Sequence, residues 1–348
     1  MGYAMRSRVI LEHLFERGHE LEIVASGRAV GFLRRHFAER GLVHQIHGMH
    51  IVYEENRVKR GSTFFGNVLT GVAALPEQIA AYFDLISKFR AQVVISDFES
   101  WTYYYAKLQG LPILSVDNMQ LLNRCTIDAE MIADQPAEFA LTKAFIKAKL
   151  PFCNQYLITT FFRLPIRKPD TNLFPPILRP EISSAVASRG EHLLIYQTAE
   201  GYDALLDTLR QTGIECRIYG LRRGLTQDIV EGNLTFRPFN ELTFVADLAS
   251  ARGVIAGGGF TLMGEAVYLR KPMLAVPVRG QFEQILNARY LAKLGYGRYA
   301  SSLDEPATLL EFIAGIPEHA KCLETYHQDG NRELTRFLDL KLAELGAK

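Results

Sequence analysis

Residues 254–297, VIAGGGFTLMGEAVYLRKPMLAVPVRGQFEQILNARYLAKLGYG, contain the pattern that decides the fold of this chain. The pattern predicts a buried strand, a turn of three glycines, a helix from about Phe260, a second strand ending in proline, and a polar loop before another helix. In such a turn the free backbone N–H groups and the positive end of the following helix point at one place. The stretch therefore predicts a binding site for a phosphate group.

Three polar side chains follow the glycine turn. Glu265 lies six residues after Gly259, and Glu283 and Gln284 lie on the loop after the second strand. The glycines suit a diphosphate, one carboxylate suits a ribose diol, and an acid–amide pair suits the hydroxyl groups of a sugar. Together these residues predict a pocket for a nucleotide sugar.

The ordered set GGG-x-T-x3-E, followed by P-x5-EQ-x2-NA, resembles the donor site of GT-B glycosyltransferases. The resemblance is strong over the second half and loose over the first, and it extends to the lipid-linked N-acetylglucosaminyltransferase of peptidoglycan synthesis and to less characterised bacterial and archaeal proteins. It implies a diphosphate at the glycine turn, ribose at Glu265, the transferred sugar at residues 281–284, and uracil at residues 237–241 (RPFNE). The donor-binding residues expected in this way are Thr198, Phe239, Gly257, Gly258, Gly259, Phe260, Thr261, Glu265, Gln281, Glu283 and Gln284.

Several of these assignments have a purely structural alternative. Three glycines after a strand can serve close packing of strand and helix. Gln284 and Asn287 lie one turn apart and can cap or decorate a helix surface, Thr198 can cap the helix that follows it, and Phe239 can belong to the core. For Glu265 a ligand is the better explanation, because a buried carboxylate without a partner is costly.

The composition is that of an ordinary soluble protein. The chain has 348 residues, a formal net charge of +1 and 48% hydrophobic residues. The near-neutral charge argues against general nucleic-acid binding, and the four cysteines lack metal-ligand spacing, which is typical of free thiols in a reducing cytoplasm. Because no apolar run approaches the ~18 residues of a spanning helix and no secretory signal is visible, we expect a cytoplasmic protein, soluble or peripheral to a membrane.

Apolar runs alternate with helical patterns, which is typical of α/β units with parallel sheets. In the first half, strands are predicted at residues 20–25, 92–96, 113–116 and 156–160, and helices at residues 6–17, 30–40, 77–89 and 101–109. Residues 163–182 contain five of the fourteen prolines and are interpreted as an interdomain linker. We therefore predict a GT-B architecture of two Rossmann-like domains that face a cleft: an acceptor domain at 1–164, a linker at 165–182 and a nucleotide-sugar domain at 183–348.

The first domain begins at an unusual point. A Rossmann-like domain opens with a strand that leads into a tight turn, but residues 1–5 (MGYAM) already match that turn and residues 6–17 match the next helix. We expect the first strand to be missing and Gly2 and Tyr3 to bind the acceptor. In the proteins that this chain resembles, a histidine often stands where this chain has Tyr3.

The chemistry of sugar transfer narrows the candidates further. No Asp-x-Asp pair for a divalent metal is present, so we expect backbone amides to stabilise the leaving diphosphate, without metal or cofactor. Asp97 ends a buried strand and is the preferred catalytic base, with Glu99 as the alternate. Asp97 can instead cap the helix near Trp101. Asp117 and Asn118 end the next strand and are expected to contact the acceptor.

The sequence is compatible with three kinds of acceptor, namely a lipid, a polysaccharide and a small metabolite. Residues 137–152, AEFALTKAFIKAKLPF, mix apolar and basic residues. Such a helix can lie on an anionic membrane surface, or can be an ordinary amphipathic helix that packs on the sheet.

The favoured function is a glycosyltransferase that moves a sugar from a UDP-sugar to an acceptor hydroxyl, with inversion, since the proteins that it resembles invert. One alternative is a nucleotide-sugar 2-epimerase, and another is a non-catalytic nucleotide-sugar-binding protein. A dinucleotide-dependent dehydrogenase is disfavoured, because no G-x-G-x-x-G follows a strand with an acid about 20 residues further on.

Overall fold

The computed structural model of the protein describes residues 2–37, 42–46, 89–197, 203–222 and 224–347. Two predictions lie outside these ranges, namely Thr198 and almost all of the helix at 77–89. Within the described ranges no helix is long and apolar enough to cross a lipid bilayer.

The described strands of the N-terminal half form two parallel sheets. Strands β1 and β2 form the first sheet, and β3, β4, β5 and β6 form the second in that order. The strands are β1 Glu22–Ser26, β2 Leu42–Ile46, β3 Val94–Ser96, β4 Ile113–Asp117, β5 Gln155–Thr159 and β6 Thr171–Phe174. The helices are α1 Gly2–Glu16, α2 Arg28–Phe37, α3 Ser100–Gln109, α4 Leu121–Arg124 and α5 Pro136–Lys149, with a 3-10 turn at Ala129–Met131.

The C-terminal half contains one sheet of seven strands, in the order β13-β12-β11-β7-β8-β10-β9. Its pairs are parallel except for β9, which runs antiparallel to β10. The strands are β7 Leu193–Tyr196, β8 Cys216–Tyr219, β9 Ile229–Glu231, β10 Leu234–Arg237, β11 Gly253–Ala256, β12 Met273–Ala275 and β13 Gly297–Tyr299. The helices are α6 Pro180–Ser183, α7 Asp203–Thr212, α8 Glu241–Ser250, α9 Phe260–Tyr268, α10 Phe282–Lys293, α11 Pro306–Leu323 and α12 Arg332–Glu344.

Strand β11 lies inside this sheet, between β12 and β7, and is buried on both faces. Val254 packs in one core cluster with α8 and α9, and its neighbour Ile255 packs in a second cluster with α7 and α11. Alternate residues of a strand point to opposite faces, so a continuous apolar run fits a parallel sheet that is covered on both sides. The strand order reverses between β7 and β11, which is the place where open α/β sheets bind ligands.

Local signals set several element ends. Asn240 caps α8, because its side chain accepts a hydrogen bond from the Thr243 N–H at 3.1 Å. Pro136 and Pro306 occupy the first turns of α5 and α11, where the missing N–H costs nothing. Gly110 ends α3 with a φ of 66°, which glycine adopts without strain. The four strands predicted in the first half are confirmed to within two residues at each end.

Helix α1 begins earlier than expected, so the prediction of a turn at residues 1–5 is wrong. Gly2 and Tyr3 lie in the first turn of the helix, because no helix-breaking proline is present and Ala4 is buried. Ile10 and Leu14 of α1 pack on β4 and β5, whereas Ala4 packs on β1. Within the described residues no strand joins the two sheets, and α1 lies across both.

The division into domains differs from the prediction in two places. Residues 171–174 of the expected linker form β6, which pairs with β5 at the edge of the second sheet. The segment that connects the two halves is therefore shorter than the proline-rich stretch 165–182. Helix α12 does not belong to the C-terminal core. Its residues Leu334, Leu338 and Leu342 share a cluster with β4 and β5 of the first half, because they form one apolar stripe with helical spacing.

Candidate active site

The glycine turn lies between β11 and α9, and its glycines are needed for different reasons. A Cβ at Gly258 would lie 2.5 Å from the Gln284 carbonyl oxygen, so packing excludes any side chain there. A Cβ at Gly257 would make only ordinary contacts, and a Cβ at Gly259 would meet no atom within 4 Å. Gly259 also has a φ of −67°, which any residue adopts. The packing alternative therefore accounts for Gly258 and leaves Gly259 without a structural reason.

The first turn of α1 lies directly against the N-terminus of α9. A Cβ at Gly2 would lie 2.6 Å from the Thr261 hydroxyl oxygen, so a larger residue at this position would require the Thr261 side chain or the helix to shift. Phe260 is buried and its ring stacks on Phe161 of the N-terminal half, with 6.1 Å between centroids. Phe260 thus belongs to the core between the halves, and only its backbone remains for a ligand.

Glu265 is buried and has a protein partner that the sequence reasoning missed. Arg179 donates from Nε and Nη2 to the two Glu265 oxygens at 2.7 and 3.0 Å, and from Nη1 to Glu241 at 2.7 Å. The premise that Glu265 lacks a partner is therefore wrong. Burial raises the pKa of the Glu265 carboxyl, while the Arg179 guanidinium acts in the opposite direction. Because burying an unpaired carboxylate is unfavourable, the expected burial of Glu265 was the feature of the sequence that could have predicted a nearby cation such as Arg179.

Glu283 and Gln284 were expected on the loop before α10, but they lie in its first turn, because the helix already begins at Phe282. Gln284 Oε1 accepts from the Val278 N–H at 3.1 Å, and its amide nitrogen donates to Gln281. Glu283 Oε1 accepts from Asn118 at 2.6 Å and from Asn287 at 3.0 Å. Asn287 is buried rather than decorating a helix surface. Since Asn118 belongs to the first half, Glu283 links the two halves, and burial raises the pKa of its carboxyl.

Asp97 follows β3 and forms an ion pair with Arg6 of α1, in which Arg6 is buried and Asp97 is partly buried. Arg6 Nε lies 3.1 Å from Asp97 Oδ2, and the same oxygen accepts from the Ser7 hydroxyl at 2.8 Å. Arg6 also donates to Asn118 Oδ1 at 3.1 Å. A continuous chain of hydrogen bonds therefore runs from Asp97 through Arg6 and Asn118 to Glu283. Sequence reasoning missed Arg6 and Ser7, whose helical spacing from Tyr3 could have placed them on this face.

Glu99, and not Asp97, caps helix α3. Its carboxylate accepts from the Thr102 N–H at 3.0 Å, so the capping alternative considered for Asp97 applies to Glu99 instead. Burial raises the pKa of Glu99. Phe98, between the two acids, has a φ of +55°, a conformation that is uncommon for a non-glycine residue and often found at functional sites. The turn at Phe98 therefore directs Asp97 toward α1 and Glu99 toward the N-terminus of α3.

Asp117 is the last residue of β4 and Asn118 follows it, but the two side chains have different environments. Asp117 is buried and accepts from the Gln120 N–H and the Ser115 hydroxyl, both at 2.7 Å. Burial raises the pKa of Asp117. Its bonds hold the turn in shape, whereas Asn118 makes the contacts across the cleft. Tyr3 is 48% exposed beside this chain of bonds, with the Arg6 guanidinium carbon 5.0 Å from its ring centroid.

Phe239 is 55% exposed and lies at the rim of an aromatic group in the second half. Its ring centroid is 6.3 Å from that of Tyr196 and 5.5 Å from that of Phe244. Phe239 is thus not fully in the core, and it offers an open face after β10. Thr198 lies outside the described residues. Within those residues, no group of three or more His, Cys, Asp or Glu side chains could hold a metal ion.

Two α/β units in contact across a cleft, with a glycine turn where the strand order reverses, define the GT-B class of fold. Solved structures confirm this fold. The glycotransferase of kitacinnamycin superposes with a TM-score of 0.66 at 13% identity and covers 98% of this chain and 94% of that chain. Spinosyn rhamnosyltransferase SpnG complexed with thymidine diphosphate gives 0.64 at 16% identity, over 96% of both chains.

The sequence model of glycosyl transferase family 1 matches residues 1–317, so the chain belongs to this family. A curated relative, an uncharacterized glycosyltransferase of Methanosarcina mazei, is 38% identical over 84 residues, which is 23% of this chain and 22% of the relative. A second, from Methanosarcina acetivorans, is 37% identical over 81 residues, 22% of this chain and 21% of the relative. The chain thus aligns with less than a quarter of either relative's length.

Proposed function

We propose that the protein transfers a sugar from a UDP-sugar to an acceptor hydroxyl without a metal ion. The observation that carries this proposal is Gly259, which neither packing nor backbone conformation requires. At the N-terminus of α9 a missing side chain lets a diphosphate approach the backbone N–H groups. Membership of glycosyl transferase family 1 supports the same activity.

The reacting groups are brought together by α1. Its residue Gly2 contacts Thr261 beside the glycine turn, and Arg6 and Ser7, about one turn or ~6 Å further along the helix, hold Asp97. Asp97 is proposed as the base that accepts the proton of the acceptor hydroxyl, with Tyr3 and Asn118 lining the acceptor side. Gln281 and the first turn of α10, with Glu283 and Gln284, are proposed to hold the transferred sugar, and Phe239 to lie against uracil.

The proposed reaction is a single displacement. The acceptor oxygen attacks the anomeric carbon, the bond from that carbon to the diphosphate breaks, and the proton passes to Asp97. The diphosphate leaves as UDP against the backbone amides of the glycine turn. Because the nucleophile enters opposite the leaving group, the anomeric configuration inverts, which NMR of the product tests.

The acceptor side also has a basic surface, which we propose contacts an anionic membrane. Helix α5 buries only Ile146 fully. Lys143 and Lys147 of this helix lie near Arg167 and Lys168 of the following segment. Burial, and then neighbouring positive charges that include Arg167, Lys147 and Lys143, lower the pKa of Lys168. Sedimentation with vesicles that contain phosphatidylserine should capture the protein, and Lys143→Glu should release it. Equal capture by neutral vesicles would contradict this proposal.

The activity is tested by titrating UDP, UDP-GlcNAc, UDP-Glc and UDP-Gal in the presence of EDTA, followed by product analysis. We expect UDP binding, preference for one sugar, and a new glycoside when acceptor is supplied. An epimerised nucleotide sugar would establish the 2-epimerase instead, and tight binding without any product would favour a non-catalytic binding protein. Absence of UDP binding would overturn the proposal.

A further inference from the structure

Arg179 lies in the segment that joins the two halves, and all three nitrogens of its guanidinium donate hydrogen bonds to carboxylates. It is 3% exposed, as is Glu265. Two of its nitrogens form a fork on the Glu265 carboxylate, and the third binds Glu241, the first residue of α8. Glu241 is also the last residue of the segment 237–241 proposed for the uracil base. One side chain therefore fixes the helix that carries Glu265 relative to the segment that carries Phe239.

The Glu265 carboxylate retains acceptor capacity beside this fork. An ionised carboxylate has about four lone-pair sites, and the bidentate fork occupies one on each oxygen. Two sites remain, which is the number of hydroxyl groups in a ribose diol. They accept well only while the carboxylate is charged, and a buried carboxylate without a cation takes up a proton.

We propose that Arg179 is a positioning residue of the donor site, which orients Glu265 and keeps it ionised so that it accepts the ribose hydroxyls. The inference rests on the proposed function, because it concerns the same nucleotide site. Arg179 acts through Glu265 and does not contact the reacting atoms.

A purely structural role is the competing interpretation, since the joining segment has other contacts. Pro176 packs on Gly264, where a Cβ would lie 2.6 Å away. Arg8 of α1 donates to Glu181 of α6 at 2.9 Å and to Glu12 at 2.7 Å. Arg8 binds this same segment, and its Nη1 lies 3.9 Å from Glu241 Oε1, but it makes no hydrogen bond to Glu265. Arg8→Met is therefore the control for ion pairs of this cluster that do not involve Glu265.

The experiment compares UDP with 2′,3′-dideoxy-UDP by calorimetric titration of wild type, Arg179→Met, Arg179→Lys, Glu265→Gln, the double variant Arg179→Met/Glu265→Gln, and Arg8→Met. We expect Arg179→Met to weaken UDP binding by about tenfold to a hundredfold and to leave dideoxy-UDP binding unchanged. Arg179→Lys should restore part of the affinity, Arg8→Met should bind like wild type, and the double variant should match Glu265→Gln.

The pH profile gives an independent readout. With Arg179 removed, the Glu265 carboxyl ionises at higher pH, so the midpoint at which UDP affinity rises should lie higher in Arg179→Met than in wild type. If Arg179→Met does not fold, as judged by circular dichroism, Arg179→Lys and the neutral double variant provide the comparison.

The outcomes separate the two proposals. If wild type does not bind UDP, the proposed function and this inference both fail. If wild type binds UDP but Arg179→Met weakens UDP and dideoxy-UDP equally, or Arg8→Met has the same effect, Arg179 is a structural residue and only this inference is overturned.

Discussion

The two halves of the molecule hold their functional residues in different ways. In the C-terminal half one seven-stranded sheet carries the glycine turn, and backbone pairing fixes its position. In the described part of the N-terminal half the strands form two sheets, and α1 lies across both. There the ion pair between Arg6 and Asp97 connects α1 to the end of β3. Side-chain contacts therefore fix the position of the functional residues in this half, as backbone pairing of strands does in the other.

The largest expected effect comes from breaking this ion pair. Arg6→Met leaves Asp97 without its buried cation, and we expect the free energy of unfolding to fall by about 3–5 kcal/mol. Denaturant unfolding of wild type and variant measures the change. Glycosyl transfer should also be lost, because Arg6 orients the proposed base.

A matched control lies in the C-terminal half. Asp247 is buried there and is bound by both Arg217 and Arg237, each at 2.7 Å. Arg217→Met leaves one arginine in place, so its cost should be clearly smaller than that of Arg6→Met. If Arg6→Met and Arg217→Met lower the free energy of unfolding equally, the proposed difference between the two halves is contradicted.

The next effect separates two glycines of the same turn. Gly258→Ala forces a methyl group against the backbone of α10, and we expect a loss of about 1–3 kcal/mol in stability. Gly259→Ala should leave thermal stability unchanged or slightly higher, but weaken UDP binding. Thermal unfolding measures the stability of both variants, and calorimetry measures their affinity for UDP. A Gly259→Ala variant that binds UDP like wild type would remove the main support for the donor site.

A pH effect tests burial within the C-terminal half. Lys271 is buried and donates to the Ser188 carbonyl oxygen, and burial lowers its pKa from 10.5 to about 8. Between these values the unfolded chain holds the proton and the folded chain does not, so rising pH favours folding. Relative to Lys271→Met, wild type should gain about 1–1.5 kcal/mol between pH 7 and pH 9.

The control for this measurement is Lys321→Met, at an exposed position of α11. Its stability should change with pH as that of wild type does. A constant difference between wild type and Lys271→Met over this range would show that Lys271 keeps its ordinary pKa.

The smallest effect concerns Glu99. Glu99→Ala removes the cap of α3, and we expect a loss of about 0.5–1 kcal/mol with little change in the rate of transfer. Unfolding and activity assays on the same preparation test both parts. Full stability together with lost activity would show instead that Glu99 is catalytic.

The parts that could be predicted from sequence are those set by neighbouring residues. Strand β11, the glycine turn and α9 follow from a buried apolar run, three glycines and a helical pattern within 20 residues, and the structure has all three. The strands of the first half were likewise readable, because each is a short apolar run.

The parts that could not be predicted depend on residues far apart in the chain. Arg179 reaches Glu265 across 86 positions and Arg6 reaches Asp97 across 91. Periodicity carries no information on such pairs. Capping of α3, considered as the alternative role of Asp97, is performed by Glu99, and a shift of two residues at a helix start is within the ordinary error of pattern reasoning.

Helix α12 has a consequence for synthesis of the protein. Its leucines complete the cluster of β4 and β5, yet it follows β6 by about 160 residues, or roughly 8–30 s of translation at ~5–20 residues per second. Throughout that interval the nascent first half carries an open apolar face, which invites chaperone binding. We therefore expect products that stop before residue 332 to keep this face exposed and to be removed by proteases.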